Sequence, residues 1–412
     1  MAADTERSAT YREVLAVTEY RAVFGAYLLS QIGDMLTKVA IAILVFDQTG
    51  SPLLSAAAFA IGYLPWIAGG PLLSTIADRL PWRRTMVLCD IGRMVLVALL
   101  AVPTVPLPVL LGLLFVSALL APPFESARAA MLPDILTGDR YVLGLAMNNM
   151  AGQLSQVVGF IFGGALVHLI SPRGALLIDA CTFLGSALLL RLWVIARPAP
   201  QAREKRTSLV RETVAGLRLV FGSRKLRVYT LLVWGSAAFA FAPEGLAAPF
   251  AEKLGGGPTA VGLLLAANPV GTVIGGIVVG RFLAPRRRVR AVRPLAILSA
   301  AALVPLAIDL PLWPVLALYA TSGFGMAFLL PLNGMFVRVL PIAFRARAFG
   351  VVQSGLQLSQ GIAVITAGWA ASQIETRLVI GLSGMIGVVV VCLLALAWPS
   401  EQEVDAAVAE PV

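Results

Sequence analysis

The sequence predicts an all-α membrane protein whose twelve transmembrane helices form two pseudo-symmetric six-helix bundles. Three observations carry that prediction. The 412 residues are 58% hydrophobic and 13% charged, with a mean hydropathy of +0.87, whereas soluble domains carry about 25% charged residues. Apolar stretches of bilayer-spanning length, about 20 residues each, recur twelve times. The two halves of the chain also repeat each other at a fixed offset, as transporter folds do.

The apolar stretches fall near 21–46, 53–77, 85–107, 109–131, 146–170 and 174–196, then near 228–250, 259–282, 292–309, 312–335, 349–371 and 378–398. Pro103, Pro106 and Pro108 mark a turn between the third and fourth. This divides the chain into a cytoplasmic segment 1–20, an N-terminal bundle 21–196, a basic linker 197–227, a C-terminal bundle 228–398 and an acidic tail 399–412. No short apolar region with a cleavage site precedes the first span, so no removable signal peptide is expected.

Lysine and arginine test the count, because cytoplasmic loops hold the positive charge. With the N-terminus inside, cytoplasmic segments hold 27 of the 32, including Arg79, Arg83 and Arg84, ten between Arg191 and Arg227, and six between Arg281 and Arg293. Outer loops hold Arg173, Lys253 and Arg377, and the spans hold Lys38 and Arg93. Both termini are therefore expected in the cytoplasm. The net charge of +10 follows from topology and implies no nucleic-acid partner. The linker stretch "TSLVRETVAGLRLVFGSRKLRV" suits either a helix on the anionic inner leaflet or a flexible connector. Cys89, Cys181 and Cys392 are isolated within spans and read as small core residues, with no disulfide or metal-ligand spacing.

The repeat is clearest in QLSQ, found at Gln153 to Gln156 and again at Gln357 to Gln360, 204 residues on. At the same offset Asn149 maps onto Gln353, Pro65 onto Pro269, and Pro81, Arg83 and Arg84 onto Pro285, Arg287 and Arg288. Asn149, Gln153 and Gln156 share one face of the fifth helix at i, i+4, i+7, and Gln353, Gln357 and Gln360 share the matching face of the eleventh. An amide without a partner is costly in an apolar setting. The stripes therefore either line a polar path or bond neighbouring helices at about 0.6 to 2 kcal/mol each.

Ionisable residues within spans are expensive and point to function. Gln31, Asp34 and Lys38 lie at i, i+3, i+7 on the first helix, whereas the corresponding positions of the seventh are Gly235, Ala238 and Ala242. That asymmetry favours a working role: Asp34 exchanges a proton, or it forms a static ion pair with Lys38. Glu244 is either a cavity acid or a solvated rim residue. Asp90 and Arg93 on the third helix, with Glu125 and Arg128 on the fourth, are expected to join Asp78 in a charge network on the cytoplasmic side. Asp179 has no partner visible in the sequence. His168 reads as an interfacial residue. Tyr63, Trp66, Trp234 and Phe241 read as anchors or packing, with a drug cavity as the alternative.

The loop "STIADRLPWRR" resembles the G-x-L-a-D-R-x-G-R-K motif of the major facilitator superfamily, with Asp78, Arg79, Arg83 and Arg84 keeping the charges and Ser74 and Pro81 replacing glycines. "SQIGDMLTKVAIAILVFDQTGSPLL", "CDIGR", "PPFESARAAMLPDIL" and "AMNNMAGQLSQVVGFIFGGAL" resemble the branch containing macrolide efflux proteins and the enterobactin exporter. The resemblance implies that the motif loop, Asp78 and Arg79 above all, latches the cytoplasmic side of an outward-facing state. It implies too that the fifth and eleventh helices border the central cavity. Of the family's G-x-x-x-G-P-x-x-G-G antiport element, Gly159, Gly163 and Gly164 remain and Phe160 replaces the proline.

Exclusion narrows the energy source. A phosphate-binding loop needs lysine after glycine, and Lys38, Lys205, Lys225 and Lys253 follow Thr, Glu, Arg and Glu. One histidine, no Cys/His cluster and no nucleophile with its base predict neither enzyme nor cofactor. The expectation is a monomeric, multi-pass inner-membrane protein that exports amphipathic small molecules of drug, macrolide or siderophore type against protons. Asp34, Lys38 and Glu244 would couple protons, and Gln31 with the two stripes would line the cavity. Uptake of a polar metabolite and a non-transporting sensor or scaffold are the alternatives.

Overall fold

The computed structural model describes residues 9–66, 80–197, 209–340 and 345–397. It is helical throughout, with no strand among the described residues. A short α1 (Tyr11–Ala16) leads into α2 (Thr18–Thr49), α3 (Pro52–Ile61), α4 (Trp82–Leu100), α5 (Leu107–Leu119), α6 (Ala121–Ile135), α7 (Asp139–Ile170) and α8 (Pro172–Trp193). The second half comprises α9 (Leu209–Gly222), α10 (Arg224–Phe241), α11 (Ala247–Lys253), α12 (Gly257–Phe282), α13 (Pro285–Arg290), α14 (Val292–Ala301), α15 (Leu312–Gly325), α16 (Leu329–Val339), α17 (Arg345–Ala371) and α18 (Thr376–Leu396).

Among the described residues, nine helical stretches are long and apolar enough to cross a membrane. Helices also occupy the expected second, third and ninth positions, and each falls short for its own reason. Pro52–Trp66 and Val292–Ala307 are short, and α4 carries Arg83, Arg84, Asp90 and Arg93 along its 19 residues. Sharp turns follow from local chemistry. Gly50, at φ 60°, closes α2 in the left-handed conformation that glycine adopts freely, and Ser51 then caps α3 by accepting from the Leu54 amide ahead of Pro52. The seventh span is broken where Pro243 removes an amide donor: α10 passes through a 3-10 turn, Ala242–Leu246, before α11.

Loops alternate between two ends. One, the basic end, carries Arg83, Arg84, Arg140, Arg197, Arg224 and the α13 arginines. The other, the far end, carries Arg173, Lys253 and Arg377. At the far end a single hydrophobic core runs through both halves, joining Val39, Ile41, Phe59 and Phe183 to Leu246, Phe250, Leu264 and Ile380. Toward the basic end the cores separate: one is confined to the second half, around Tyr229, Phe328 and Phe336, and two smaller ones to the first half.

Two seams join the halves. In one, α7 meets α12 so closely that Gly164 and Gly262 face each other backbone to backbone; a Cβ on Gly262 would sit 2.5 Å from the Phe160 carbonyl oxygen. In the other, Gly368 of α17 rests on Pro52, Leu53 and Ala56 of α3. Small residues allow this approach in place of a hydrophobic driving force between helices. The linker helix α9 packs on α17 and α10, burying Val220 and setting Phe221 5.8 Å from Trp234. It thus forms part of the second half's core at the basic end.

Candidate functional site

The first half encloses a polar cluster drawn from three helices. Asp34 of α2 pairs with Arg93 of α4, whose guanidinium also donates to Ser30 at 3.3 Å. Arg93 lies over the Phe183 ring, 4.3 Å from its centroid, so one face of the cation is covered by the ring as well. Asp90, one turn before Arg93, accepts from Ser186 at 2.5 Å. Asp179 accepts from Thr37 at 2.5 Å and Thr182 at 2.9 Å. Asp90 and Asp179 are fully buried, while the Asp34 side chain keeps 22% of its surface exposed.

This differs from the sequence reading in two ways. The ion-pair partner of Asp34 is Arg93, not Lys38, and Asp90 and Arg93 lie inside the bundle instead of in a network at the basic end. The reason is geometric: α8 packs along both α2 and α4, which brings three lines of polar residues to one axis. Periodicity within a single helix cannot reveal that. Asp179, without a partner in the sequence, has two.

Lys38 serves a different neighbourhood. Its ammonium lies 5.6 Å from the Phe59 ring centroid and 5.7 Å from that of Tyr63, and its charge acts on both Asp34 and Glu244. The Tyr63 hydroxyl donates to Glu244 at 3.2 Å, a hydrogen bond between the halves. Glu244 sits in the broken 3-10 turn of the seventh span and is buried. It is therefore no rim residue but part of the joint between the bundles. The buried Tyr319 hydroxyl, without a hydrogen-bond partner among the described residues, is within electrostatic range of it.

The amide stripes continue the seams. On α7, Asn149, Gln153 and Gln156 run on at the same helical spacing to Phe160 and Gly164, the residues that meet α12. On α17, Gln353, Gln357 and Gln360 run on to Val364, packed against Gly245, and to Gly368, packed on α3. Asn149, Gln153 and Gln353 are exposed, Gln31, Gln156 and Gln357 half-buried, and Gln360 buried. By helical spacing each stripe follows the face that meets the other half: Gln360 is buried within that contact, where Gly361 approaches Tyr63, and the exposed Asn149, Gln153 and Gln353 lie furthest from it along their helices.

The remaining expected residues are spread along the basic end. Arg83 donates to the Val194 carbonyl at 3.0 Å and Arg84 is exposed. Glu125 pairs with Arg128 at 2.6 Å, and Arg128 stacks 4.1 Å from the Tyr27 ring centroid. Asp78 and Arg79 lie outside the described residues. His168 is exposed, and Cys181 lies on the bundle surface instead of in the core. Unforeseen in the sequence, Arg197 forks onto Glu19 and lies 3.8 Å from Asp134, tying the end of the sixth span to the start of the first and the end of the fourth. The Glu19 carboxylate holds the Arg197 guanidinium above its ordinary range.

Two helical bundles whose described residues share a core at the far end and form separate cores toward the basic end, with charges buried inside one bundle, define a polytopic membrane protein of the two-bundle transporter class. The chain belongs to the Major Facilitator Superfamily, whose family model matches residues 23–331 and 245–411. An MFS-type transporter of Bacillus subtilis is 26% identical over 273 residues, covering 61% of this chain and 64% of that protein. One of Mycobacterium tuberculosis is 29% identical over 159 residues, 37% of this chain and 36% of that protein. The chain therefore aligns with less than two thirds of the length of these curated relatives. A solved POT family transporter in complex with 5-aminolevulinic acid is similar with a TM-score of 0.70 at 13% identity, covering 92% of this chain and 95% of that one. A bacterial homolog of the human lysosomal transporter Spinster, inward-facing and occupied, gives 0.67 at 16% identity, with coverage of 95% and 97%. At such identities the likeness is one of fold.

Proposed function

We propose that the protein is a secondary active transporter that exports amphipathic small molecules of drug, macrolide or siderophore type across the inner membrane in exchange for protons, both termini lying in the cytoplasm. The observation that carries this reading is the continuation of the two seams, closed at the far end, into two amide stripes toward the basic end. Rocking the halves about that region alternately buries and opens the stripes, which is what alternating access requires. Substrate hydroxyls and carbonyls would bond the amides, and the surrounding apolar surface would take the rest of the molecule.

Coupling to protons rests on charge balance. Three carboxyls, of Asp34, Asp90 and Asp179, share one guanidinium within the first bundle, and excess negative charge at membrane depth is neutralised most cheaply by protons. Asp34 is the one member with part of its side chain accessible, 22%, and so the one that exchanges with cavity water. Lys38 stands between Asp34 and Glu244, linking the state of the cluster to the joint between the halves. Uptake of a polar metabolite is the second reading, favoured by the hydrogen-bonding capacity of the stripes themselves.

Ethidium accumulation in cells expressing the protein separates these readings. Export predicts lower accumulation than in control cells, restored by a protonophore and by Asp34→Asn. Higher accumulation points to uptake. No difference from control would sink both transport readings for this dye and leave a sensor or scaffold.

A further inference from the structure

Among the described residues no lysine or arginine forms an ion pair with Asp179, although it is fully buried. Its two contacts are hydroxyls, from Thr37 and Thr182. Gly33 makes its position possible: a Cβ there would lie 1.9 Å from the Asp179 Oδ1 and 2.3 Å from the Thr182 Oγ1. The carboxyl therefore rests against the α2 backbone, one residue before Asp34. The groups facing it are Thr37 and Asp34 on α2, Arg93 on α4 and Thr182 on its own helix. Asp90 sits beside Ser186, about two turns further along α8. Asp90 Oδ1 and Arg93 Nε are both buried without a hydrogen-bond partner among the described residues, so the cluster is not saturated by the groups described.

One guanidinium balances one carboxylate, and here Arg93 is committed to Asp34. Hydroxyls serve a neutral carboxylic acid as readily as an anion, since each both donates and accepts. We infer that Asp179 is a second proton-holding site of the first bundle, sealed from water and linked to the partly accessible Asp34 through Arg93, which pairs with one carboxylate at a time. In the state seen here Asp34 is ionised and paired, and Asp179 holds the proton. The proton passes from Asp179 to the Asp34 carboxylate: the O–H bond on Asp179 breaks as one on Asp34 forms, Arg93 turns from Asp34 to the new Asp179 carboxylate, and Asp34 exchanges the proton with cavity water. The inference rests on the proton-coupled reading of Asp34 and adds a residue to it.

Infrared difference spectra of the purified full-length protein in lipid, titrated from acid to alkaline, read protonated carboxyls directly through their C=O stretch. Wild type should keep a carboxylic-acid band at neutral pH, and Asp179→Asn should lose it. Thr37→Val should keep the band and shift it to higher wavenumber, since one hydrogen bond is gone. Asp34→Asn should keep it and move its disappearance to lower pH, because Arg93 is then free for Asp179. Identical wild-type and Asp179→Asn spectra would overturn the assignment, as would a Thr37→Val band that does not move. No transported molecule is needed. Absent proton coupling in cells with the band present would therefore sink the transport reading alone, and intact coupling without the band would sink this assignment alone.

Discussion

Replacing Gly262 by valine tests whether the two seams open as one. A Cβ at this position would meet the Phe160 carbonyl oxygen at 2.5 Å and the Gly164 Cα at 2.8 Å, whereas ordinary contact begins at 3.4 Å. The α7 and α12 backbones must then separate by about 0.9 Å at that point, the difference between 3.4 and 2.5 Å. Both obstructing atoms are backbone and cannot rotate aside. Overpacking of this kind costs about 1–3 kcal/mol. The cost falls on the conformation closed at the far end, so the open-to-closed ratio should rise roughly 5- to 150-fold. Spin labels at Gln48→Cys and Gln373→Cys, both exposed and on opposite sides of the other seam, would read it as an added long-distance population. Cys181 is exposed and must first be replaced. An unchanged distance distribution in the folded valine variant would refute the idea that the seams move together.

Four further outcomes follow from the same geometry. Tyr63→Phe removes the hydroxyl that reaches Glu244 across the halves, a loss of about 1–3 kcal/mol to the closed state, and the same spin pair should report more opening; a closed distribution would contradict it. Arg93→Met should lower the thermal midpoint by the equivalent of about 3–5 kcal/mol, because it strands a buried carboxylate, and adding Asp34→Asn should restore most of the loss; equal single and double variants would rule out the pair. Gln153→Leu with Gln357→Leu should abolish ethidium export without lowering stability, whereas helix-bonding amides would cost about 0.6 to 2 kcal/mol each in a melting curve. Arg197→Gln should weaken the protein by an amount that stays constant from neutral to alkaline pH. A group held above its ordinary range contributes in full below that ordinary value and loses the contribution as pH climbs from there through the raised one, and a difference that vanishes at moderately alkaline pH would contradict the Glu19 pairing.

The sequence made the class of protein legible because each signal was local or periodic. Apolar stretches and loop arginines each depend on one helix or one loop, and the 204-residue offset needs only two copies compared; the described helices lie where the stretches fall, nine of them long and apolar enough to span. The amide stripes were likewise visible as faces. What they faced was not, since the seam is defined by Gly164 against Gly262 and Gly368 against α3, contacts between residues far apart in the chain. The partner of Asp34 escaped for the same reason. Lys38 is its neighbour along α2, but helix crossing sets Arg93 against it and turns Lys38 toward Tyr63 and Glu244. Glu244 looked ambiguous because Pro243 signals a break without saying which way the broken turn points. Of the motif loop that prompted the expectation of a latch, Arg83 and Arg84 lie at the basic end, where the described residues of the two halves form separate cores, and Asp78 and Arg79 fall outside the described residues.

The central claim is that a proton gradient drives substrate past the amide stripes. Proteoliposomes of purified protein, with an interior-acid gradient imposed and ethidium outside, test it directly in molecules inserted with the basic end outward. Ethidium should accumulate inside as the gradient dissipates faster than in dye-free vesicles, and both effects should vanish on adding a protonophore. Accumulation that ignores the gradient, or a gradient indifferent to the dye, would contradict the account.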